Sequence, residues 1–321
     1  MHSNLSGALF ALAAFALFAT HDVIIKWLGA VYTPFQLIFF ATLMSFPLVT
    51  VMLMSDRTEA HLRPVHPWWS ALRTGCVVVA MLCGFYAFSV LPLAQVYAIL
   101  FMAPIVITLL SIPILGERVG WRRGLAVLAG LVGVLIVLRP GGASLTLGHL
   151  AAITSAVASG TASVIVRRIG RDERPVVLLM YPLMASYLIM GGVLGFVYEP
   201  MPVEHLAGVA LIAFLGFVAG LLMIAAYRRA EAAIVAPMQY SQILWATGYG
   251  AAFFGETVDA ATMTGAAVII AAGLYIVFRE ARKPASQTPV LRTRSRGYGM
   301  SFRISPFLRR SRDGDDDSGT G

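Results

Sequence analysis

Residues 7–34 read GALFALAAFALFATHDVIIKWLGAVYTP, and residues 148–175 read GHLAAITSAVASGTASVIVRRIGRDERP. Laid over each other at an offset of 141, they share eight identities: Gly7/Gly148, Leu9/Leu150, Ala11/Ala152, Thr20/Thr161, Val23/Val164, Ile24/Ile165, Gly29/Gly170 and Pro34/Pro175. Lys26 falls opposite Arg167, and further on Gly116-Glu117 meets Gly255-Glu256 after a two-residue slip. One five-helix unit is thus read twice. An odd number of membrane crossings per copy turns the second copy upside down relative to the first. Inverted repeats of this kind are a construction plan of membrane transporters.

Composition places the chain in a bilayer independently of the repeat. Hydrophobic residues make up 58% of it, charged residues only 12%, and mean hydropathy is +0.79, whereas soluble domains average about 25% charged residues. A spanning helix needs about 20 mostly apolar residues. Ten such runs are predicted: Leu5 to Trp27, Phe35 to Met54, Trp69 to Val90, Ala94 to Leu115, Gly124 to Leu138, Leu147 to Val166, Val176 to Val197, Leu206 to Tyr227, Ile234 to Phe254 and Ala260 to Phe278. The fifth is short and has room to extend back to Trp121. Backbone groups in lipid must bond within their own segment, and alternating strands of the barrel type are absent, so the expected fold is an all-α bundle. The expected units are residues 1–140, 141–278 and a tail, 279–321.

The first run is too long for a signal-peptide core and no Lys or Arg precedes it, so it is expected to stay attached. Its polarity follows from the basic residues, because cytoplasmic loops retain Lys and Arg. With the N-terminus inside, 22 of the 24 basic residues fall on the inner side and only Lys26 and Arg139 on the outer side. Glu199, Glu204, Glu256 and Asp259 lie outside. The net charge of +8 is therefore a topology signal, and no nucleic-acid partner is implied. The Arg-, Ser- and Gly-rich tail, closing on DGDDDSGTG, is too polar to fold alone and its basic part suits anionic headgroups. Cys76 and Cys83 lie seven apart, share a helix face without being able to bond each other, and read as buried apolar residues.

LPLAQVYAILFMAPIVITLLSIPILGERVGWRRGLAVLAGLVGVLIVLRPG (91–141) and AAIVAPMQYSQILWATGYGAAFFGETVDAATMTGAAVIIAAGLYIV (232–277) resemble the two EamA units of the drug/metabolite transporter superfamily. The resemblance covers residues 5–278 and rests also on the repeat, the inner termini and the Gly-Glu pairs ending helices four and nine. It implies a bacterial inner-membrane carrier with a central cavity lined by helices one, three, four, six, eight and nine, opened alternately to each side. It also implies peripheral fifth and tenth helices, with a homodimer through them left open. Members commonly carry an arginine early in the second helix, where this chain has Ala41.

Close packing is expected at Gly124, Gly130, Gly133, Gly265 and Gly273, and bends at Pro47, Pro104, Pro113, Pro182 and Pro237. Charged groups within spans cost about 2.5 to 3.5 kcal/mol each on insertion scales, so they mark candidate sites. The first helix alone holds a cluster: His21, Asp22 and Lys26. Asp22 and Lys26, four apart, share a face and can pair, while His21 points about 100° away; on the structural reading Lys26 reaches outward and Asp22 caps or pairs with it. The second copy has Ala162 and Ser163 opposite His21 and Asp22, so the framework does not demand ionisable groups there, and these two are the coupling candidates. The Lys26/Arg167 pair recurs and reads as architectural.

Gln239, Tyr240, Gln242 and Trp245 on helix nine, with Tyr86 and Tyr97 on helices three and four, are the substrate-binding candidates; Ser89, Gln95 and Phe101 offer comparable groups. Amides beside aromatic faces suit a planar or amphipathic organic solute, and interhelical hydrogen bonding is the structural alternative. Glu117 and Glu256 read as loop-anchoring family markers. Trp68, Trp69 and Trp121 read as interfacial aromatics. No metalloprotease, serine-hydrolase, paired-aspartate or phosphate-loop motif occurs, and no cofactor or metal is called for. An intramembrane enzyme and a channel are the competing classes. Product formation identifies the first, and unsaturable flux the second.

Overall fold

The computed structural model describes residues 2–54, 63–116, 121–138, 145–170, 172–230 and 235–281. Eleven α-helices occupy them: α1 (His2–Gly29), α2 (Pro34–Met54), α3 (Pro67–Val90), α4 (Leu93–Leu100), α5 (Ala103–Leu115), α6 (Trp121–Leu138), α7 (Leu147–Ile169), α8 (Pro175–Val197), α9 (Val203–Arg229), α10 (Gln242–Phe254) and α11 (Ala260–Ala281). A 3₁₀ segment, Ala236–Ser241, leads into α10. No strand occurs among the described residues. Among the described residues, six spans are long and apolar enough to cross a membrane: residues 5–29, 67–90, 93–115, 147–169, 177–197 and 203–226. Residues 34–50, 124–138 and 260–275 form shorter apolar helices. The fifth predicted run does extend back to Trp121.

Two predicted spans are broken. The fourth divides at Phe101 and Met102, and the ninth begins as the 3₁₀ segment. Proline explains both. Pro104 can neither donate to the Leu100 carbonyl nor avoid it, so α4 stops at Leu100, and Pro237 disturbs the start of the ninth run in the same way. The pieces that follow correspond closely: α5 and α10 are each 13 residues long, and each ends on a left-handed glycine, Gly116 (φ 70°) and Gly255 (φ 62°). Pro47, Pro113 and Pro182 lie inside continuous helices, so the bends expected at these three do not interrupt them.

The helices pair antiparallel across the two copies. On α1 and α9, an added Cβ at Gly7 would overlap Ala230, and one at Gly208 would lie 3.3 Å from Leu28. In α3 and α7, the Ser155 hydroxyl donates to the Ala80 carbonyl at 2.8 Å and Gly148 abuts Val90 and Leu91. These two pairs exchange under the repeat, and Gly7 and Gly148, identical in the alignment, make the same close approach in each. Helices α2 and α8 pair through Phe39 stacked on Tyr187 at 5.0 Å, and Gln36 exchanges hydrogen bonds of 2.6 and 2.9 Å with the Glu199 backbone. Gly133 and Gly265 bring α6 and α11 into backbone contact within one chain, as small residues do in membranes, while Gly130 receives the Ile105 side chain of α5. Gly273 receives the Tyr240 ring, and Gly124 meets nothing within 4 Å.

The turns at 30–33, 91–92, 198–202 and 255–259 gather at one end, here the acidic end; the opposite, arginine end carries Arg73, Arg168 and Arg174. A continuous apolar cluster runs from the acidic end, at Ile25, Leu28 and Tyr32, through Leu93–Met102, Val209 and Ile269, and on past the break to Val106 and Val127. Near the arginine end a separate small cluster joins Ala11, Phe15, Ala226 and Val235. Cys76 and Cys83 are free thiols, half-buried rather than buried. Trp68 and Trp121 are exposed, and Trp69 lies under the Arg168 guanidinium at 4.7 Å. The 279–281 stretch completes α11, and the rest of the tail lies outside the described residues.

Candidate functional site

Asp22 stands about two turns before the end of α1 and is 9% exposed. Its Oδ1 lies 2.7 Å from His21 Nδ1, and its Oδ2 accepts the Tyr97 hydroxyl proton. An Asp22–Lys26 pair therefore does not form. Neighbouring His21 swings its ring back over the carboxyl, despite the 100° between their Cα–Cβ directions. It is steadied edge-on by Phe85 at 6.3 Å, where the absent side chain of Gly216 leaves room. Tyr97 opens the last turn of α4, just before the break, and its hydroxyl lies beside the side chain of Gln242, the first residue of α10. The buried carboxyl thus ties α1 to α4, and the Tyr97 hydroxyl carries the link on to the start of α10.

Lys26 does not reach outward either. Its Nζ lies 2.9 Å from Glu256 Oε1 and donates to the Leu91 carbonyl at 2.6 Å, while the Leu93 N–H donates to Glu256 Oε2 at 3.0 Å. Glu256, read from the sequence as a loop-anchoring marker, holds Lys26 and the Leu93 N–H, so its contacts link the two copies rather than closing a local loop. Glu117 lies outside the described residues.

The helix-nine candidates separate. Gln242 faces Tyr97, and Gln239 is half-buried in the 3₁₀ segment. Tyr240 is buried, edge-on to Phe101 at 5.0 Å, with its hydroxyl against Gly273 and no hydrogen-bond partner among the described residues, so it packs on α11. Trp245 is 40% exposed and stacks on Tyr249 at 6.1 Å. Tyr86 is half-buried, and its carbonyl takes the Ser89 hydroxyl at 2.7 Å. Sequence reasoning missed Tyr249, whose hydroxyl lies 3.1 Å from Thr20 Oγ1. The Thr20/Thr161 identity was the available signal. Also missed was Tyr32–His205, hydrogen-bonded at 2.7 Å.

Two openings flank this cluster. At the acidic end a cavity of about 230 Å³ is lined by Pro92, Gln95, His149, Gly250, Glu256 and Asp259, among others. Gln95 and His149 meet there at 3.0 Å. Towards the arginine end, a crevice of about 410 Å³ runs between α3 and α7 past Arg73, Met81, Ser159 and Ser163. On α7 the exposed Val157 and Leu150 mark one face. Ser163 is exposed too, yet lies about 140° away, on the side where Ser155 meets α3 and Gly160 meets α5. It faces the crevice, at the position that Asp22 holds in the first copy.

Comparison with known proteins agrees with this architecture. The chain is 28% identical over 289 residues to a riboflavin transporter of Rhizobium johnstonii, covering 87% of this chain and 94% of that one. It is 22% identical to an S-adenosylmethionine uptake transporter of Rickettsia bellii (82% and 90% covered). It is 26% identical to the pseudopaline exporter of Pseudomonas aeruginosa (83% and 94%). A solved crystal structure shares the fold at TM-score 0.54 and 20% identity, over 84% of this chain and 96% of that one. All three of these relatives are named as transporters. With matches over residues 5–139 and 146–279, one for each copy of the repeat, the chain belongs to the EamA-like transporter family of integral membrane proteins.

Proposed function

We propose that this protein is a secondary-active carrier of a small organic solute in a bacterial inner membrane, with ten crossings, both termini cytoplasmic and units at residues 1–140 and 141–278. The observation that carries the reading is the Asp22 carboxyl, buried where α1 meets the broken fourth and ninth spans. A buried ionisable group within a span is costly and is retained where it moves a proton or holds a ligand. Ionised, Asp22 accepts from Tyr97 and from His21. Protonated, it gains a donor and loses acceptor capacity, so one of these contacts must rearrange. Because Tyr97 belongs to the short helix α4, that rearrangement acts on the break itself. Discontinuous helices beside a central site are how carriers of inverted-repeat design bind and release.

Gln239, Gln242, Trp245 and Tyr86 are the groups we assign to the solute, with Ser163 on the arginine-end side and Tyr240 as packing support. Amides flanked by the Trp245–Tyr249 stack suit a planar or amphipathic molecule. The riboflavin relative fits that class. The packed acidic half and the open crevice correspond to a state facing the arginine end, which the basic-residue bias makes cytoplasmic.

The test is flux of a pooled metabolite mixture into proteoliposomes, with and without a pH gradient, read by mass spectrometry against empty liposomes. Saturable enrichment of one solute, larger with the gradient, is the expected result. Flux that never saturates means a channel, and chemical conversion of a solute means an enzyme.

A further inference from the structure

We infer that Lys26 and Glu256 form the latch that closes the acidic end, and that the 230 Å³ cavity beyond it is the vestibule which joins the Asp22 site when the latch opens. The inference rests on the alternating-access reading and adds a named device to it. Four segments meet at this pair. Lys26 comes from α1 and Glu256 from the turn after α10; the lysine also holds the Leu91 carbonyl at the end of α3, and the glutamate holds the Leu93 N–H at the start of α4. The first copy and the second copy are therefore tied through one carboxylate.

The pair is built into its place. Both side chains are largely buried, 12% and 15% exposed. Phe254 lies under the ammonium at 5.3 Å. Gly250 leaves room for the carboxylate, since an added Cβ there would sit 2.6 Å from Oε2, and the Gly250 carbonyl accepts the Glu256 N–H at 2.9 Å. One helical turn, about 5.4 Å, separates Lys26 from the level of Asp22. Glu256, Gly250 and Pro92 line the cavity on the other side. The latch is thus the partition between that cavity and the Asp22 cluster.

The contacts made by α1 change along its length in keeping with this role. Near the acidic end it is drawn against α3, with Gly29 so close to Ser89 that an added Cβ would lie 2.5 Å from the serine Cβ. Its packing on α9, by contrast, runs from Gly208 beside Leu28 at the acidic end to Gly7 against Ala230 at the arginine end. Release of the Gly29–Ser89 approach would part α1 from α3 at the acidic end while α9 keeps its hold on α1. An ion pair in low dielectric suits the purpose, because it is strong while dry and loses most of its strength once water enters.

Site-directed labelling tests the latch without knowledge of the solute. In a Cys76→Ser, Cys83→Ser background, a single cysteine at Thr20→Cys lies deeper than Lys26. Oriented proteoliposomes are treated from one side at a time with a charged, membrane-impermeant thiol reagent. The parent should label faster from the arginine end. K26Q and E256Q should each raise the acidic-end labelling rate at least tenfold, and the exchanged pair K26E/E256K should return it towards the parent rate. If K26Q proves unfolded, E256Q carries the same expectation, since Lys26 keeps the Leu91 carbonyl. Folded variants whose acidic-end rate stays at the parent value overturn the latch alone. A parent labelled from neither end overturns it together with alternating access.

Discussion

Helices α1 and α7 are two copies of one helix, and the comparison shows which of their residues build and which act. Gly7 packs on Ala230 and Gly148 on Val90 and Leu91, the same approach to the end of a partner helix from the other copy. Thr20 donates to the Ala16 carbonyl at 2.9 Å and Thr161 to the Val157 carbonyl at 2.7 Å, the same back-bond four residues earlier. What the copies do not share is the chemistry. Where α1 carries His21 and Asp22 in a buried hydrogen-bonded cluster, α7 carries Ala162, buried, and Ser163, exposed to the crevice. Identity at an offset of 141 reports the framework, and departure from it reports the site.

The asymmetry is broken most directly at Asp22. Asp22→Asn keeps the size of the side chain and removes the proton, so gradient-driven uptake should fall about 100-fold, about 2.7 kcal/mol, while solute exchange persists. Gradient dependence equal to the parent's would remove Asp22 from coupling. The framework is tested by Gly7→Leu and Gly148→Leu, each expected to cost about 1–3 kcal/mol by overpacking. Thermal unfolding in detergent should show similar losses for both; a large loss in only one would mean that the copies do not share this contact.

A smaller effect is expected at Tyr97→Phe, which removes the hydroxyl between α4 and Asp22. Gradient-driven flux should drop about tenfold, about 1.4 kcal/mol, with the fold intact. Parent-like flux would mean that the break is not tied to the carboxyl. Smallest is the threonine pair. Thr161→Val should cost about 0.5 kcal/mol and Thr20→Val about twice that, because only Thr20 also meets Tyr249. Equal melting temperatures for the two variants would show that the Tyr249 contact adds nothing.

Much of the framework was legible because it is written in local terms. Apolar runs, the repeat and the Gly-Glu pairs are patterns along the chain, and each followed from the length of a membrane span or the room a glycine leaves. The breaks were half legible: five prolines were flagged, and only Pro104 and Pro237 coincide with an interruption, because a proline's effect depends on whether neighbouring helices hold the chain continuous around it. The ionic contacts were misread for a different reason. Spacing of four on one helix favours Asp22–Lys26, yet Lys26 finds Glu256 across 230 positions of sequence and Asp22 finds Tyr97 across 75. Both glutamate and lysine had been singled out; no periodicity joins them.

The sequence by itself therefore determined that this is a membrane-embedded helical protein carrying one unit twice, since burial of apolar runs and backbone hydrogen bonding in lipid call for a helix bundle and the repeat is written along the chain. It also determined that the first helix carries the intramembrane charges. Only the tertiary structure decided what those charges meet, that Tyr240 turns to α11 while Gln242 turns to Tyr97, and that the two copies are fastened at the acidic end. Pairing in a dry interior depends on which groups the packed helices bring within hydrogen-bond reach, and that is a property of the assembled bundle rather than of any one segment.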